Sequence, residues 1–230
     1  MNQPIIWLNE DPTLFPSHNS AFKEPNGLLA AGGDLSPSRL LNAYSLGIFP
    51  WYNEDDPILW WSPDPRSVVI PQQFEPSRTL KKVINRSEFT TTTDTCFTEV
   101  MESCAALRKD GLGTWINSDM IESYTKLHKM GFAHSVECWQ DSKLVGGLYG
   151  IAIGKAFFGE SMFSKVSNAS KVAFASLCNH LVKAGFEIID CQVHNPHLQS
   201  LGASEIPRAS FLEILKHATA AETIKEWTFE

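Results

Sequence analysis

The sequence lacks any run of about 18 uninterrupted apolar residues, so a helix that spans a membrane is not expected. Its start, Met1-Asn2-Gln3-Pro4-Ile5-Ile6-Trp7, puts no basic residues ahead of an apolar stretch, and no secretory leader is expected. Cysteine is sparse: Cys96, Cys104, Cys138, Cys178 and Cys191 make an odd number with no Cys-x-x-Cys pair. That pattern argues against a zinc site or a disulfide framework and reads as reduced thiols of a cytoplasmic protein. Positive charge is in deficit as well. The 19 Lys and Arg against 26 Asp and Glu leave a net charge of −7, which argues against a generic nucleic-acid binder. What is present is an ordinary globular composition, with 43% hydrophobic and 20% charged residues in 230. A chain of that size buries a real core, as one large domain or as a small one joined to a medium one.

The scarce positive charge is unevenly spread. From Arg78 to Arg86 the chain carries Arg78, Lys81, Lys82 and Arg86 with no acid among them. Helical spacing sets these four on neighbouring faces. Such a cluster is either a solvated helix face or an edge that touches a polyanion.

Residues 1–64 are dense in Pro, Gly, Asn and Trp and read as a small N-terminal domain, here expected to be α/β. Ser36 as N-cap, Pro37 at the first helical position and Gly47 as stop predict one helix within it. Pro57, Pro63, Pro65 and Pro71 with Trp60 and Trp61 read as a rigid connector, and the boundary is placed at Pro63 to Pro65. Residues 65–230 then alternate in type. Val68–Ile70 and Phe89–Thr93 read as strands, with a helix over Arg78–Asn85 between them. Helices are predicted over Phe97–Lys109 and Ser118–Lys129, closing near Gly111 and Gly131. Three strands follow, His134–Gln140, Leu144–Ile153 and Ala156–Phe163. A helix capped by Asn168 then runs to Lys183, with a strand over Glu187–Val193 and a last helix over Ala209–Ala218. An antiparallel meander, a helix and one more strand make an α+β arrangement. It is similar in element order to the acetyltransferase-like fold, a mixed and largely antiparallel sheet flanked by helices. In that fold a glycine-rich loop before the helix holds the coenzyme A pyrophosphate. Here the loop reads Phe163-Ser164-Lys165-Val166-Ser167-Asn168 and has no glycine, so the usual donor is not expected.

Two stretches carry polar groups that a plain core strand would not: Gly159-Glu160-Ser161-Met162-Phe163 and Asp190-Cys191-Gln192-Val193. In a strand, residues i and i+2 share a face, so Asp190 and Gln192 are expected to project together. Half-buried carboxylates need partners, and Glu160, Asp190 and Gln192 near two strand ends suggest a site. The alternative for Asp190 is a cap for the turn around Asn195-Pro196.

Taken together, the chain resembles the leucyl/phenylalanyl-tRNA–protein transferase family from about Phe15 to Lys216. The resemblance is carried by Glu24-Pro25-Asn26-Gly27-Leu28-Leu29, Gly32-Gly33-Asp34-Leu35-Ser36, Gly47-Ile48-Phe49-Pro50-Trp51 and Trp60-Trp61-Ser62-Pro63-Asp64-Pro65-Arg66. Gly113-Thr114-Trp115-Ile116, Leu144-Val145-Gly146-Gly147-Leu148-Tyr149-Gly150, the two polar stretches above and Leu201-Gly202-Ala203 with Glu205-Ile206-Pro207-Arg208 complete it. It implies transfer of Leu or Phe, less well Met, from aminoacyl-tRNA to proteins that begin with Arg or Lys, which marks them for N-end-rule degradation. The donor is an activated ester, so neither cofactor nor metal is implied. By the same resemblance Asp190 and Gln192 form a relay to the attacking amine and Glu160 holds the donor's amino group. Leu148, Phe157, Met162, Leu177 and Leu181 form the aminoacyl pocket, with Trp51 and Trp115 against the terminal adenosine. Arg78, Lys81, Lys82 and Arg86 grip the tRNA. Leu148 stands where the family often has Met, and the loop over 109–113 reads about two residues longer than the family pattern. The alternatives left open are an acyl-coenzyme A-dependent N-acyltransferase of the same fold and a non-enzymatic adaptor. A monomer with no membrane partner is expected.

Overall fold

The computed structural model describes residues 4–109 and 115–228. The Gly111 stop and the Gly113-Thr114 part of the resemblance lie outside them, as does the long loop over 110–113. The first strands are β1 (Ile6–Leu8), β2 (Leu28–Gly32), β3 (Phe49–Pro50) and β4 (Leu59–Trp61), with helix α1 (Pro37–Ser45) between β2 and β3. There follow β5 (Arg66–Val69), α2 (Arg78–Asn85), β6 (Thr90–Thr93), α3 (Phe97–Lys109) and α4 (Ser118–Lys129). The remainder is β7 (Ala133–Gln140), β8 (Lys143–Ile153), β9 (Ala156–Ser164), α5 (Ala169–Lys183), β10 (Ile188–Asp190), α6 (Pro196–Gln199), β11 (Ser204–Ile206) and α7 (Arg208–Thr219).

These elements form a mixed α+β molecule with two sheets. A four-stranded sheet has the order β1-β2-β4-β3, and a seven-stranded sheet the order β11-β5-β10-β9-β8-β7-β6. Pairing is antiparallel except between β1 and β2 and between β9 and β10, which run parallel. Successive side chains of a strand point to opposite faces, and the large sheet uses both. Tyr149, Ile151 and Ile153 of β8 pack on one side with α1, α3, α4 and α7, while Leu148 and Ala152 pack on the other with α2 and α5. Among the described residues no helix is long and apolar enough to cross a membrane.

Local chemistry explains the helix ends. The Ser36 side chain accepts the N–H of Arg39 with Pro37 next to it, and the Asn117 side chain accepts the N–H of Met120 at the start of α4. Three expectations need correction. The proline-rich stretch is more than a connector: it supplies β4, which lies between β2 and β3, and β5 of the large sheet. Its prolines fall outside both strands, as the missing N–H requires. Asn168 occupies the cap position of α5, but in the left-handed region (φ 70°) and without a side-chain bond to the helix. The strand expected over Glu187–Val193 stops at Asp190, for a reason given below.

Gly47 closes α1 with φ +71°, and a Cβ there would stand 2.8 Å from the Phe211 ring and 2.9 Å from Leu212. It therefore lets α1 pack closely on α7. Gly47→Ala combines a strained backbone with a clash and is expected to destabilise the protein by about 1–3 kcal/mol. Urea unfolding checks this: an unchanged midpoint would show that the α1–α7 contact yields freely.

Candidate active site

The site begins where two parallel strands part. β9 and β10 pair only through Ala156–Phe158 and Ile188–Asp190. Beyond that β9 continues along β8 to Ser164, while the other chain turns away, with Gln192 in the left-handed region (φ 56°). Side chains from both strands and α5 line the opening.

What holds the turn is a buried ion pair. The Arg66 Nε and Nη2 atoms donate to the two Asp190 carboxylate oxygens at 2.8 and 2.7 Å, and both side chains are fully buried. Asp190 Oδ1 also accepts the backbone N–H of Gln192 at 2.9 Å. The guanidinium lies against the rings of Phe49 (4.8 Å) and Phe211 (4.6 Å). The expectation that Asp190 and Gln192 share a strand face is thereby corrected. The carboxylate bonds the Gln192 backbone, the strand ends, and the Gln192 amide swings to Glu160, its Nε2 donating to Oε1 at 3.3 Å. Asp190 is satisfied from behind and does not line the opening.

Glu160 owes its position to a bulge. Gly150 pairs with Gly159 and Tyr149 with Ser161, so Glu160 is the extra residue on β9. The insertion flips the alternation of the strand. Phe157 and Met162, five positions apart, then line the same cavity. The Tyr44 hydroxyl donates to Glu160 Oε1 at 2.7 Å, and the Tyr124 hydroxyl, 3.2 Å from Oε2, shares its one proton between that oxygen and the Tyr44 hydroxyl oxygen. Burial pushes the Glu160 carboxyl up to about 7, against the two tyrosine bonds that favour its ionised form; Asp190 adds to the rise and Arg66 opposes it. Burial and the facing carboxylate hold both tyrosines well above their usual value, so they stay donors.

The cavity has a volume of about 200 Å³. Its wall is apolar, with Leu148, Phe157, Met162 and Leu177 in the lining, joined by Phe174 and Ile189. Leu181, one turn beyond Leu177, is fully buried in the core and lies outside the lining. Glu160, Gln192, Ser161 and His197 supply the polar part. Trp51 and Trp115 stand in the lining with ring centroids 6.1 Å apart and planes at 83°, and Trp51 is 42% exposed. Arg78, Lys81 and Lys82 on α2 and Arg86 at its C-cap are exposed and lie apart from this cavity, and α2 packs on α5 through Leu80 and Val83. Among the described residues no cluster of His, Cys, Asp or Glu has the makings of a metal site.

Sequence reasoning missed Tyr44, Tyr124 and the role of Arg66. Tyr44 lies 116 residues from Glu160, Tyr124 lies 36 away, and Arg66 lies 124 from Asp190. No local pattern signals such partners; an arginine and two tyrosines in apolar settings were the only trace.

A family profile described as leucyl/phenylalanyl-tRNA protein transferase matches residues 68–216, and one for the N-terminal domain of that enzyme matches residues 33–64. The chain is similar to the leucyl/phenylalanyl-tRNA–protein transferase of Nitrosospira multiformis, 56% identical over 98% of this chain and 97% of that protein. It is also similar to the enzyme of the same name from Saccharophagus degradans, 55% identical over 96% of this chain and 91% of that one. A solved aminoglycoside acetyltransferase from a soil metagenome superposes with a TM-score of only 0.40 at 13% identity, covering 63% of this chain and 97% of that one.

Two measurements follow from the geometry. Asp190→Asn and Arg66→Met each strand a buried charge and are expected to cost about 3–5 kcal/mol, with the double variant losing less than the sum. Additive losses in urea unfolding would mean that the pair does not act as a unit. The Glu160 carboxyl binds its proton more tightly folded than unfolded, so it stabilises the fold below its usual 4.5 and loses that contribution as pH rises through about 7. In Glu160→Gln, the fall in unfolding midpoint between about pH 5 and about pH 8 is expected to be smaller than in the parent. Parallel curves would place the Glu160 pKa near its ordinary value.

Proposed function

The chain belongs to the leucyl/phenylalanyl-tRNA protein transferase family, and we propose that the cavity between β9 and β10 is where its reaction takes place. The enzyme transfers leucine or phenylalanine from aminoacyl-tRNA to proteins. We read the acceptors as proteins that begin with Arg or Lys, and methionine as a poorer donor. The observation that carries the placement is a carboxylate and an amide facing each other at the mouth of an apolar slot.

In this reading the donor side chain enters the slot, whose wall of Leu148, Phe157, Met162 and Leu177 contacts hydrocarbon without a polar test. One methylene in such a slot is worth only about 1–3 kcal/mol, which suits a choice of large apolar residues. The donor's amino group meets Glu160, held by Tyr44 and Tyr124. The acceptor's nitrogen attacks the ester carbonyl, the bond to the terminal ribose oxygen breaks, and a proton from the amine ends on that oxygen. An α-amino group has a pKa of about 7.7–8.0, so about a tenth is neutral at pH 7 and a strong base is not required. Gln192 hydrogen-bonds the attacking amine, and positioning supplies the larger part of the rate. Asp190 is a positioning residue: it fixes the Gln192 backbone and neutralises Arg66. Trp51 and Trp115 offer faces for the terminal adenosine, a stacking contact worth about 1–3 kcal/mol. Arg78, Lys81, Lys82 and Arg86 meet the tRNA backbone, which needs one basic strip and no overall positive charge.

The element order supports an acetyltransferase-like reading of the large sheet: the antiparallel run β6 to β9, then α5, then β10 parallel to β9. Residues 1–64 and 65–230 are read as two domains because each sheet is built from one of these stretches. Their contact includes Tyr44–Glu160, Phe49–Arg66, Trp51–Trp115 and the packing of α1 on α7. A cytoplasmic monomer completes the reading.

The test is transfer of labelled leucine from leucyl-tRNA to a peptide that starts with arginine, beside the same peptide starting with glycine. Label on the arginine peptide alone is expected; label on both would remove the acceptor rule. Glu160→Gln and Gln192→Ala are each expected to lower kcat/KM by about 10²-fold or more. Reversing Lys81 and Lys82 to Glu is expected to raise KM for leucyl-tRNA and flatten its salt dependence. Rates within a few-fold of the parent in all three would place the chemistry elsewhere.

A further inference from the structure

Behind Phe157 lies a residue that the reaction itself does not touch. Trp227 belongs to the segment after α7, which forms neither helix nor strand through residue 228, yet it is only 6% exposed. Its indole lies flat on the His134 ring, with centroids 4.2 Å apart and planes within 7°. It meets His180 at 4.7 Å, Phe186 at 6.0 Å and Phe157 at 5.7 Å. The segment is fastened along its length. Thr223 Oγ1 accepts the N–H of Gly154 at 2.9 Å, Trp227 Nε1 donates to the Ile224 carbonyl at 3.2 Å, and the Thr93 hydroxyl donates to the Trp227 carbonyl at 3.3 Å.

Phe157 is confined by what surrounds it. A Cβ on Gly150 would stand 2.5 Å from its Cζ, so the ring already presses on the β8 backbone. Trp227 blocks it from a second direction. Phe157 lines the cavity and Trp227 does not. A donor side chain that pushes on Phe157 therefore pushes on Trp227 through it, and packed interiors yield little to such pressure.

We infer that Trp227 is a positioning residue that sets the depth of the slot, and with it the choice between leucine and phenylalanine as donor. This rests on the reading of the cavity as the donor slot. With Trp227 removed, Phe157 gains room to retreat into the space left behind. The longer phenylalanine side chain then fits with less compression, while leucine loses contact. The effect falls on KM more than on kcat, because depth acts alike on the bound substrate and on the transition state.

The experiment compares kcat/KM for phenylalanyl-tRNA and leucyl-tRNA on one arginine-starting peptide, in the full chain and in W227A, W227L, W227F and F157A. The ratio does not depend on how much of a preparation is folded, and W227L and W227F cover the case where W227A does not fold. The expected result is a phenylalanine-to-leucine ratio raised about tenfold in W227A and W227L, and within about twofold of the parent in W227F. F157A is expected to shift the ratio as well. A shift in F157A with none in W227A or W227L overturns the role of Trp227 and leaves the slot in place. An unchanged ratio in all four overturns the slot reading itself, and this inference with it.

Discussion

The buried pair of Arg66 and Asp190 is the contact on which the rest of the site depends. Two charges in an apolar interior need well-oriented partners. Asp190 has them in a bidentate bond and a backbone N–H, while Arg66 is bonded at Nε and Nη2, leaves Nη1 without a hydrogen bond and lies against the faces of Phe49 and Phe211. Those four residues come from β3, β5, β10 and α7. One ion pair thus joins the small sheet, the large sheet and the last long helix. Its local effect is to end β10 one residue before Cys191 and turn Gln192 outward. The gap between β9 and β10 follows from that turn.

On the other side of the gap the device is steric. A single extra residue on β9 puts Glu160 out of register and shifts the alternation for everything after it. Without the bulge, Phe157 and Met162 would lie on opposite faces, and the slot would lose one wall. The same insertion aims a partly buried carboxylate into the apolar cavity. The two tyrosines stabilise its ionised form and burial opposes this, so the group stands close to neutrality, able to be anion or acid. Tyr44 brings this contact from α1, which explains why a small sheet with no chemistry of its own matters to the site.

Charge is distributed with the same economy. The protein is acidic overall, yet α2 and its C-cap Arg86 carry four exposed cations beside an apolar face seated on α5. Phe174 and Leu177 of α5 line the slot. The proposed grip on the nucleic acid and the slot for its cargo are therefore two faces of neighbouring helices, at a distance fixed by ordinary helix packing.

Much of the fold was legible in the residues. Ser36-Pro37 to Gly47, Arg78–Asn85, Phe97–Lys109, Ser118–Lys129 and the three long strands carry caps, stops or periodicity, and these act locally. Short β5, β6 and β10 showed in their β-branched residues, but β1 to β4 and β11, of five residues or fewer, draw their stability from pairing rather than propensity and were not legible. Within the site, the motifs around Glu160 and Asp190 pointed to the right strands. The direction of each side chain did not follow, because a bulge and a left-handed turn depend on what stands opposite. Tyr44, Tyr124 and the role of Arg66 escaped notice because a partner more than thirty residues away leaves no spacing to read. The sequence by itself determined which segments are helices and long strands, how charge is shared among them and to which family the motifs belong. Only the tertiary structure decided where the carboxylates point, since a buried charge takes its orientation from the donors that satisfy it, and those arrive from distant parts of the chain.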